Sequence, residues 1–442
     1  MWRRYELEYL QSLIQFDFKT IYSEVEKKPG PVTVRFDINT PINKEGRIDQ
    51  NGEVNLRLEE NAYLIKAYSK VAPLILMGHQ GRKNPPDKKP DKDFVNLLDH
   101  HQILSNISGM RIHFVEWAYG ETWEDYSINV EKFATNLKKG EAVLLDNTRI
   151  WDFEKDFRHD SCPFIPFFED LGLSAFINDA LPVWHREDSS LMFGRHVAPT
   201  SIGHLSMKEL RIQRKIINES GRKIIIIGGK KPKFEAIPKL ADIMDVLTAG
   251  VTGILTAKYS GYEVGALNEQ LLSDCFKGME KELKGYESAV NEYHIHHPVD
   301  FMISQSTNLA LSNRLNVSIK DLNKPEYEEY MIYDIGKETI REYSKYINNG
   351  SYDWRIRAGP NGVYEEGFDN GIRLIENILG TGFVAIGGDT VEELQKYGIC
   401  KPIMYSDGAI LLGGGSHIEG FAGTPYPCIE DLLTNGSISW IK

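Results

Sequence analysis

Val32-Thr-Val-Arg-Phe-Asp-Ile-Asn-Thr-Pro41 is the stretch on which the fold turns. It opens as an apolar, β-branched run and breaks off in Asp37, Asn39 and Pro41. A continuous apolar run of this kind reads as a strand buried on both faces, as in parallel sheets covered by helices. The design recurs along the 442 residues, at Pro73–Gly78, Arg111–Trp117, Ala142–Asp146 and Ser174–Asn178, then at Lys223–Gly228, Asp245–Gly250, Phe383–Gly388 and Pro402–Ser406. Helix-length polar segments separate the runs. The pattern predicts an α/β chain of two doubly wound, Rossmann-like parallel-sheet domains.

Between the halves, Ser206-Met-Lys-Glu209 has the form of a capping box, and the stretch to Glu219 is amphipathic. It predicts a linking helix, with domains at 1–205 and 206–419. Residues 83–92 are polar and proline-rich, which predicts a loop. Residues 268–297 are charged and predict helix, ending in a surface cluster from His294 to His297.

The formal net charge is −12, which disfavours nucleic-acid binding. The cysteines Cys162, Cys275, Cys400 and Cys428 have no metal-ligand spacing. No segment approaches the ~18 apolar residues of a membrane span, and the first residues do not resemble a secretion signal. A cytoplasmic chain without nucleic-acid or membrane partners is expected.

In parallel α/β sheets, ligands bind beyond the carboxyl ends of the strands. In the first half those ends read Asp37-Ile38-Asn39, Gly78-His79-Gln80-Gly81-Arg82, Asp146-Asn-Thr-Arg149, and Asn178-Asp179 leading to His185-Arg186. Arginine offers a planar fork that fits phosphate or carboxylate oxygens in pairs. One such arginine is commonly a surface ion pair. Several on a single rim repel one another unless an anion lies between them. The second half has glycines instead: Gly228-Gly229-Lys230-Lys231, Ala249-Gly250, Gly359-Pro-Asn-Gly362 before Glu365, Gly387-Gly388-Asp389-Thr390, and Gly413-Gly414-Gly415. Glycine lets backbone N–H groups approach a phosphate, and a following helix adds its positive end. Lys231 and Lys258 could supply point charges, Glu365 could accept from ribose hydroxyls, and Asp389 could hold Mg²⁺. The P-loop and the dinucleotide-binding fingerprint are both absent. The string His185-Arg-Glu-Asp188 stands without the other protein-kinase elements.

Taken in order, these pieces resemble the phosphoglycerate kinase family in its archaeal form. The likeness runs from about residue 30 to about residue 435, and includes Pro298-Val-Asp-Phe301 and Asp334-Ile-Gly-Lys337. It implies 3-phosphoglycerate or 1,3-bisphosphoglycerate on the first domain and Mg²⁺ with ADP or ATP on the second. It further implies a monomer in which 420–442 packs back on the first domain. Asp37, Ile38, Asn39, Arg57, His79, Gln80, Gly81, Arg82, Arg149 and Arg186 would contact the acid. Lys231, Gly250, Lys258, Glu365, Gly387, Gly388, Asp389 and Thr390 would serve the nucleotide, with Asp389 on the metal. Arg57, Lys231, Gly413, Gly414 and Gly415 would act on the moving phosphoryl group. Asn55 competes with Arg57 for the family's arginine position. The chain departs from the family pattern at Ala358, Ile386, Leu411 and Leu412, all in the nucleotide half.

The implied reaction transfers a phosphoryl group between 1,3-bisphosphoglycerate and ADP. Its acceptor oxygens are already ionised, so positioning and charge neutralisation suffice. Closure about the linking helix would align the ligands. A second reading keeps the fold but assigns another small phospho-acid, or nucleotide binding with little turnover.

Overall fold

The computed structural model describes residues 23–48, 55–83, 91–230, 234–293, 295–406, 408–424 and 426–428. They form two compact units: one ends at Arg211 and takes in 426–428, the other is Ile212–Thr424.

The first unit holds strands β1 (Val32–Phe36), β2 (Leu74–Met77), β3 (Arg111–Val115), β4 (Glu141–Leu145), β5 (Ala175–Asp179) and β6 (Thr200–Ile202). They form one sheet in the order β3-β4-β2-β1-β5-β6, and every pairing is parallel. Successive side chains of a strand face opposite ways, and β2 shows the result. Leu74 and Leu76 join one core with Val32, Val34, Phe36 and the helix Leu56–Ser69. Ile75 and Met77 join another with Val143, Phe176 and the helix Trp123–Ala134. Both faces are covered, which is why the strands read as unbroken apolar runs. Tyr426 and Cys428 pack with Trp184 in a smaller cluster.

The second unit holds β7 (Lys223–Ile227), β8 (Asp245–Thr248), β9 (Ile295–His296), β13 (Trp354–Ala358), β14 (Phe383–Ile386) and β15 (Ala409–Leu411) in a parallel sheet ordered β15-β14-β13-β7-β8-β9. Beside it, β10 (Asp300–Gln305), β11 (Leu315–Ser318) and β12 (Tyr330–Ile335) form a three-stranded antiparallel sheet. Ile225, Ile227, Val246, Ile356, Val384, Ile386 and Leu411 centre the core.

Three expectations are corrected. Pro402–Ser406 is not a strand: Cys400–Tyr405 is helical, and the edge strand is Ala409–Leu411. Pro402 lies in the first turn of that helix, where a missing N–H has no intrahelical partner to lose. The linking helix runs His204–Asn218, and Ser206 lies inside it. Its opening amides are accepted by Asp179 at the end of β5, from Leu205 N at 3.3 Å and Ser206 N at 2.7 Å. A side chain distant in sequence therefore does the work expected of Ser206. Residues 268–297 contain two helices, Ala266–Cys275 and Glu280–Glu292. They are followed by β9, so Ile295 and His296 extend the sheet, while His294 lies outside the described residues. Among the described residues no helix is long and apolar enough to cross a membrane.

Candidate active site

In the first sheet β4, β2, β1 and β5 are consecutive neighbours, so the segments leaving their carboxyl ends lie side by side. Amide side chains tie these segments together. Asn39 Oδ1 accepts the Gly81 N–H at 2.8 Å, and Asn147 Oδ1 accepts that of Gln80 at 3.2 Å. Gln80 is fully buried, and its side chain pairs with Thr40 as a strand would: Oε1 accepts Thr40 N at 2.9 Å, and Nε2 donates to Thr40 O at 2.8 Å. Its side chain is thus held within the scaffold and is not presented on the rim. Ile38 is likewise buried, and its side chain packs on Gly78. These two placements correct the expected contacts of Gln80 and Ile38 with the acid.

Arg57, Arg149 and Arg186 all act on His79. Asn55 caps the helix Leu56–Ser69, its side chain accepting the Arg57 N–H at 3.0 Å. Arg57, the second residue of that helix, turns its guanidinium back to β1, where it pairs with the Asp37 carboxylate and donates to the Asn39 carbonyl at 2.7 Å. It is 8% exposed. Arg149 donates to the Gly81 carbonyl and is 5% exposed. Arg186 is half-buried, with Nε donating to His185 Nε2 at 3.2 Å, and Arg82 is exposed.

His79 lies among them and is buried. Arg35 Nη2 stands 2.8 Å from its Nδ1. A guanidinium can only donate, so Nδ1 accepts and the proton of the neutral ring is on Nε2. Burial, reinforced by Arg149, Arg35, Arg186 and Arg57, holds the imidazole pKa well below its ordinary value. The ring is therefore a neutral donor in a positive field. Burial and the neighbouring Arg186 also bring Arg149 down to about 10. An anion placed here relieves all of these repulsions at once. Arg35 was not among the expected contacts. It is fully buried in β1, where it also donates to Ser190 Oγ at 2.8 Å and Phe36 O at 2.6 Å. An arginine inside an otherwise apolar strand was the available signal.

In the second sheet β15, β14, β13, β7 and β8 are consecutive, so the glycine turns also form a continuous rim. Main chain locks them together. Gly228 N donates to Ala358 O at 2.8 Å, Gly229 N to Pro360 O at 2.7 Å, Gly250 N to Asn361 O at 3.0 Å, and Gly387 N to Leu411 O at 2.8 Å. Gly387, at φ 102°, lets the chain turn directly into the helix Gly388–Lys396. Asp389 is exposed in the first turn of that helix. Thr390 is buried, and its Oγ1 accepts the Gly359 N–H at 2.8 Å. Glu365 is exposed, and Gly414 approaches Gly387, so the last two turns are adjacent. Lys231 lies outside the described residues. Lys258 is not brought to this rim. It stands at the far end of the helix Gly250–Tyr259, about 12 Å along the axis from Gly250, and pairs with Glu269.

Among the described residues no group of three or more His, Cys, Asp or Glu could hold a metal ion. A full protein cage is therefore absent from them. One carboxylate, Asp389, beside phosphate oxygens is the arrangement Mg²⁺ accepts in phosphoryl-transfer sites.

Burial sets a pH dependence. It pushes the Asp334 and Glu393 carboxyls up to about 7, and raises Glu154, which Asp188 raises further. The folded chain keeps protons that the unfolded chain has released, so these groups stabilise at acid pH and lose that effect as pH rises through about 7. His79 and His100, the latter lowered to about 4 by burial, act oppositely, and only below the unfolded histidine value near 6.5. Stability is expected to increase by about 1 kcal/mol from pH 8 to pH 6.5, roughly 2 °C in Tm, and to go on rising below, where three carboxyls outweigh two histidines. A Tm by fluorimetry that is flat or falling across that window contradicts this balance.

A model of the family described as phosphoglycerate kinase matches residues 23–424. The phosphoglycerate kinase of Archaeoglobus fulgidus is 26% identical over 429 residues, covering 93% of this chain and 95% of that protein. That of Sulfurisphaera tokodaii is 29% identical over 425 residues, covering 93% and 94%. The crystal structure of phosphoglycerate kinase from Pyrococcus horikoshii matches with a TM-score of 0.74 over 92% of this chain and 96% of that one, at 24% identity, a likeness of fold.

Proposed function

The chain belongs to the phosphoglycerate kinase family, and from that premise we propose how its two rims divide the reaction. The enzyme is a phosphotransferase with a carboxyl acceptor, passing a phosphoryl group between 1,3-bisphosphoglycerate and ADP to give 3-phosphoglycerate and ATP. We assign the acid to the first unit, and the carrying observation is the meeting of Arg57, Arg149, Arg186 and neutral His79 at four adjacent strand ends. Arg57 and Arg149 are anchored on backbone carbonyls, so their forks are held before the ligand arrives. His79 donates through Nε2. Asp37 and Asn39 act by fixing Arg57 and the Gly81 turn.

The nucleotide falls to the glycine rim of the second unit. The start of the helix Gly388–Lys396, whose first amides have no acceptor within the helix, faces its phosphates, and Glu365 its ribose. When bound with the nucleotide, Mg²⁺ supplies positive charge to the phosphate oxygens, and Asp389 would hold it. The acceptor carboxylate is already ionised, so no residue has to take a proton. The departures at Ala358, Ile386 and Leu411 are strand-end residues in the core, and Leu412, just past the last strand, is buried as well, so none of the four changes a residue of the exposed turns. That favours turnover over nucleotide binding alone. The four cysteines are free, in keeping with a cytoplasmic site of action, and we take the working form to be a monomer.

A coupled assay with 3-phosphoglycerate, ATP and Mg²⁺ tests the assignment. Turnover is expected, and Asp389→Ala should lower kcat/KM for the nucleotide about 10²-fold with the KM for 3-phosphoglycerate unchanged. Tight Mg–ADP binding without turnover would leave the nucleotide-binding alternative standing.

A further inference from the structure

The helix Gly388–Lys396 carries more than the turn at its start. Thr390, Glu393 and Lys396 are spaced three apart and so share one face. Each reaches the chain in or after β13. Thr390 Oγ1 accepts the Gly359 N–H at 2.8 Å, Glu393 pairs with Arg357, and Lys396 Nζ donates to the Tyr364 carbonyl at 2.9 Å. The central pair is the unusual one, because both side chains are fully buried. Burial raises the Glu393 carboxyl to about 7, while Arg357 works against that rise.

A buried ion pair is a poor source of stability, since desolvation offsets the attraction. This one is also incompletely satisfied. Arg357 Nη1 and Glu393 Oε1 have no further partner among the described residues, nor does either amide atom of the buried Asn361. Gly371 lies against both Asn361 and Glu393, so these groups occupy one internal spot. What the pair does supply is direction. It joins the penultimate residue of β13 to the helix one turn beyond Asp389. Apolar packing allows sliding, whereas a carboxylate on a guanidinium fixes register.

We propose that Arg357 and Glu393 are a positioning pair for the nucleotide, locking the Gly387–Asp389 turn in register with the loop from Gly359 to Glu365. Neither side chain touches the ligand. The inference rests on the assignment of the nucleotide to these turns.

Wild type, Glu393→Gln and the double variant Arg357→Met/Glu393→Leu test it, by calorimetric titration with Mg–ADP, by Tm and by KM for both substrates. Glu393→Gln should bind Mg–ADP about tenfold more weakly, with the KM for 3-phosphoglycerate unchanged. The double variant, free of buried charge, should recover the Tm of wild type and still bind Mg–ADP about tenfold more weakly. Mg–ADP binding at wild-type strength in the double variant overturns the positioning role, as does an unaltered Glu393→Gln. A wild type that binds no Mg–ADP overturns the nucleotide assignment itself.

Discussion

Arg57→Ala is expected to lower kcat in the coupled assay by about 10²–10³-fold, the scale for losing one fixed electrostatic donor at a reacting centre. The residue begins a helix, is nearly buried, and is held between Asp37 and the Asn39 carbonyl. Its geometry is set before substrate binds, so its loss cannot be repaired by a mobile neighbour. Alanine also leaves the buried Asp37 carboxylate without its partner, which destabilises the unit. Arg57→Lys separates the two effects, because it keeps a charge near Asp37 and loses the planar fork. The lysine variant should fold and still lose about 10-fold or more in kcat. Asn55→Ala is the counterpart. Asn55 caps the helix, so its removal should cost about 1 kcal/mol of stability and leave the rate intact. An Arg57→Ala enzyme with wild-type kcat would remove Arg57 from the reaction and return the question to Asn55.

Gly81→Ala should raise the KM for 3-phosphoglycerate at least about 100-fold and lower Tm, without altering Mg–ADP binding. Gly81 sits at φ 64°, where a side chain costs about 1–2 kcal/mol. A Cβ there would also lie 2.2 Å from the Asp93 carbonyl oxygen and 2.4 Å from Phe94 N, both backbone atoms. The turn must therefore move. It carries the Asn39 bond on its amide and the Arg149 bond on its carbonyl, so the cations move with it. Gly172 makes a clean control: it has φ 66°, but nothing lies within 4 Å of its would-be Cβ. Gly172→Ala should show the conformational cost alone, with normal KM. Equal behaviour of the two variants would mean that the Asp93 contact does not matter.

Much of this was legible in the residues themselves. Strands covered on both faces announce themselves as apolar runs, and the polar residue that ends each run marks the rim. The order of strands in each sheet was not legible, yet it alone makes Arg149, His79, Asp37 and Arg186 neighbours. β13 was invisible because Arg355 and Arg357 interrupt its apolar pattern, and the partner that explains Arg357 is 36 residues away. The antiparallel strands β10 to β12 are too mixed in polarity to show a run. Side-chain direction was hidden as well. Gln80 and Ile38 stand beside His79 and Asn39 in sequence, but their side chains are buried in the scaffold. Lys258 sits on the expected helix, eight residues too far along. That Asn55 caps the helix and Arg57 turns back toward Asp37 was also hidden in the sequence.

The glycine rim of the second unit is held by bonds from Gly228, Gly229, Gly250 and Gly387 to backbone carbonyls. Because every residue type has a carbonyl, the acceptors Ala358, Pro360, Asn361 and Leu411 can be exchanged for others without unmaking those bonds. A surface written in main chain is therefore nearly free to drift in sequence, and a lineage can wander far in its amino acids while inheriting the same cradle.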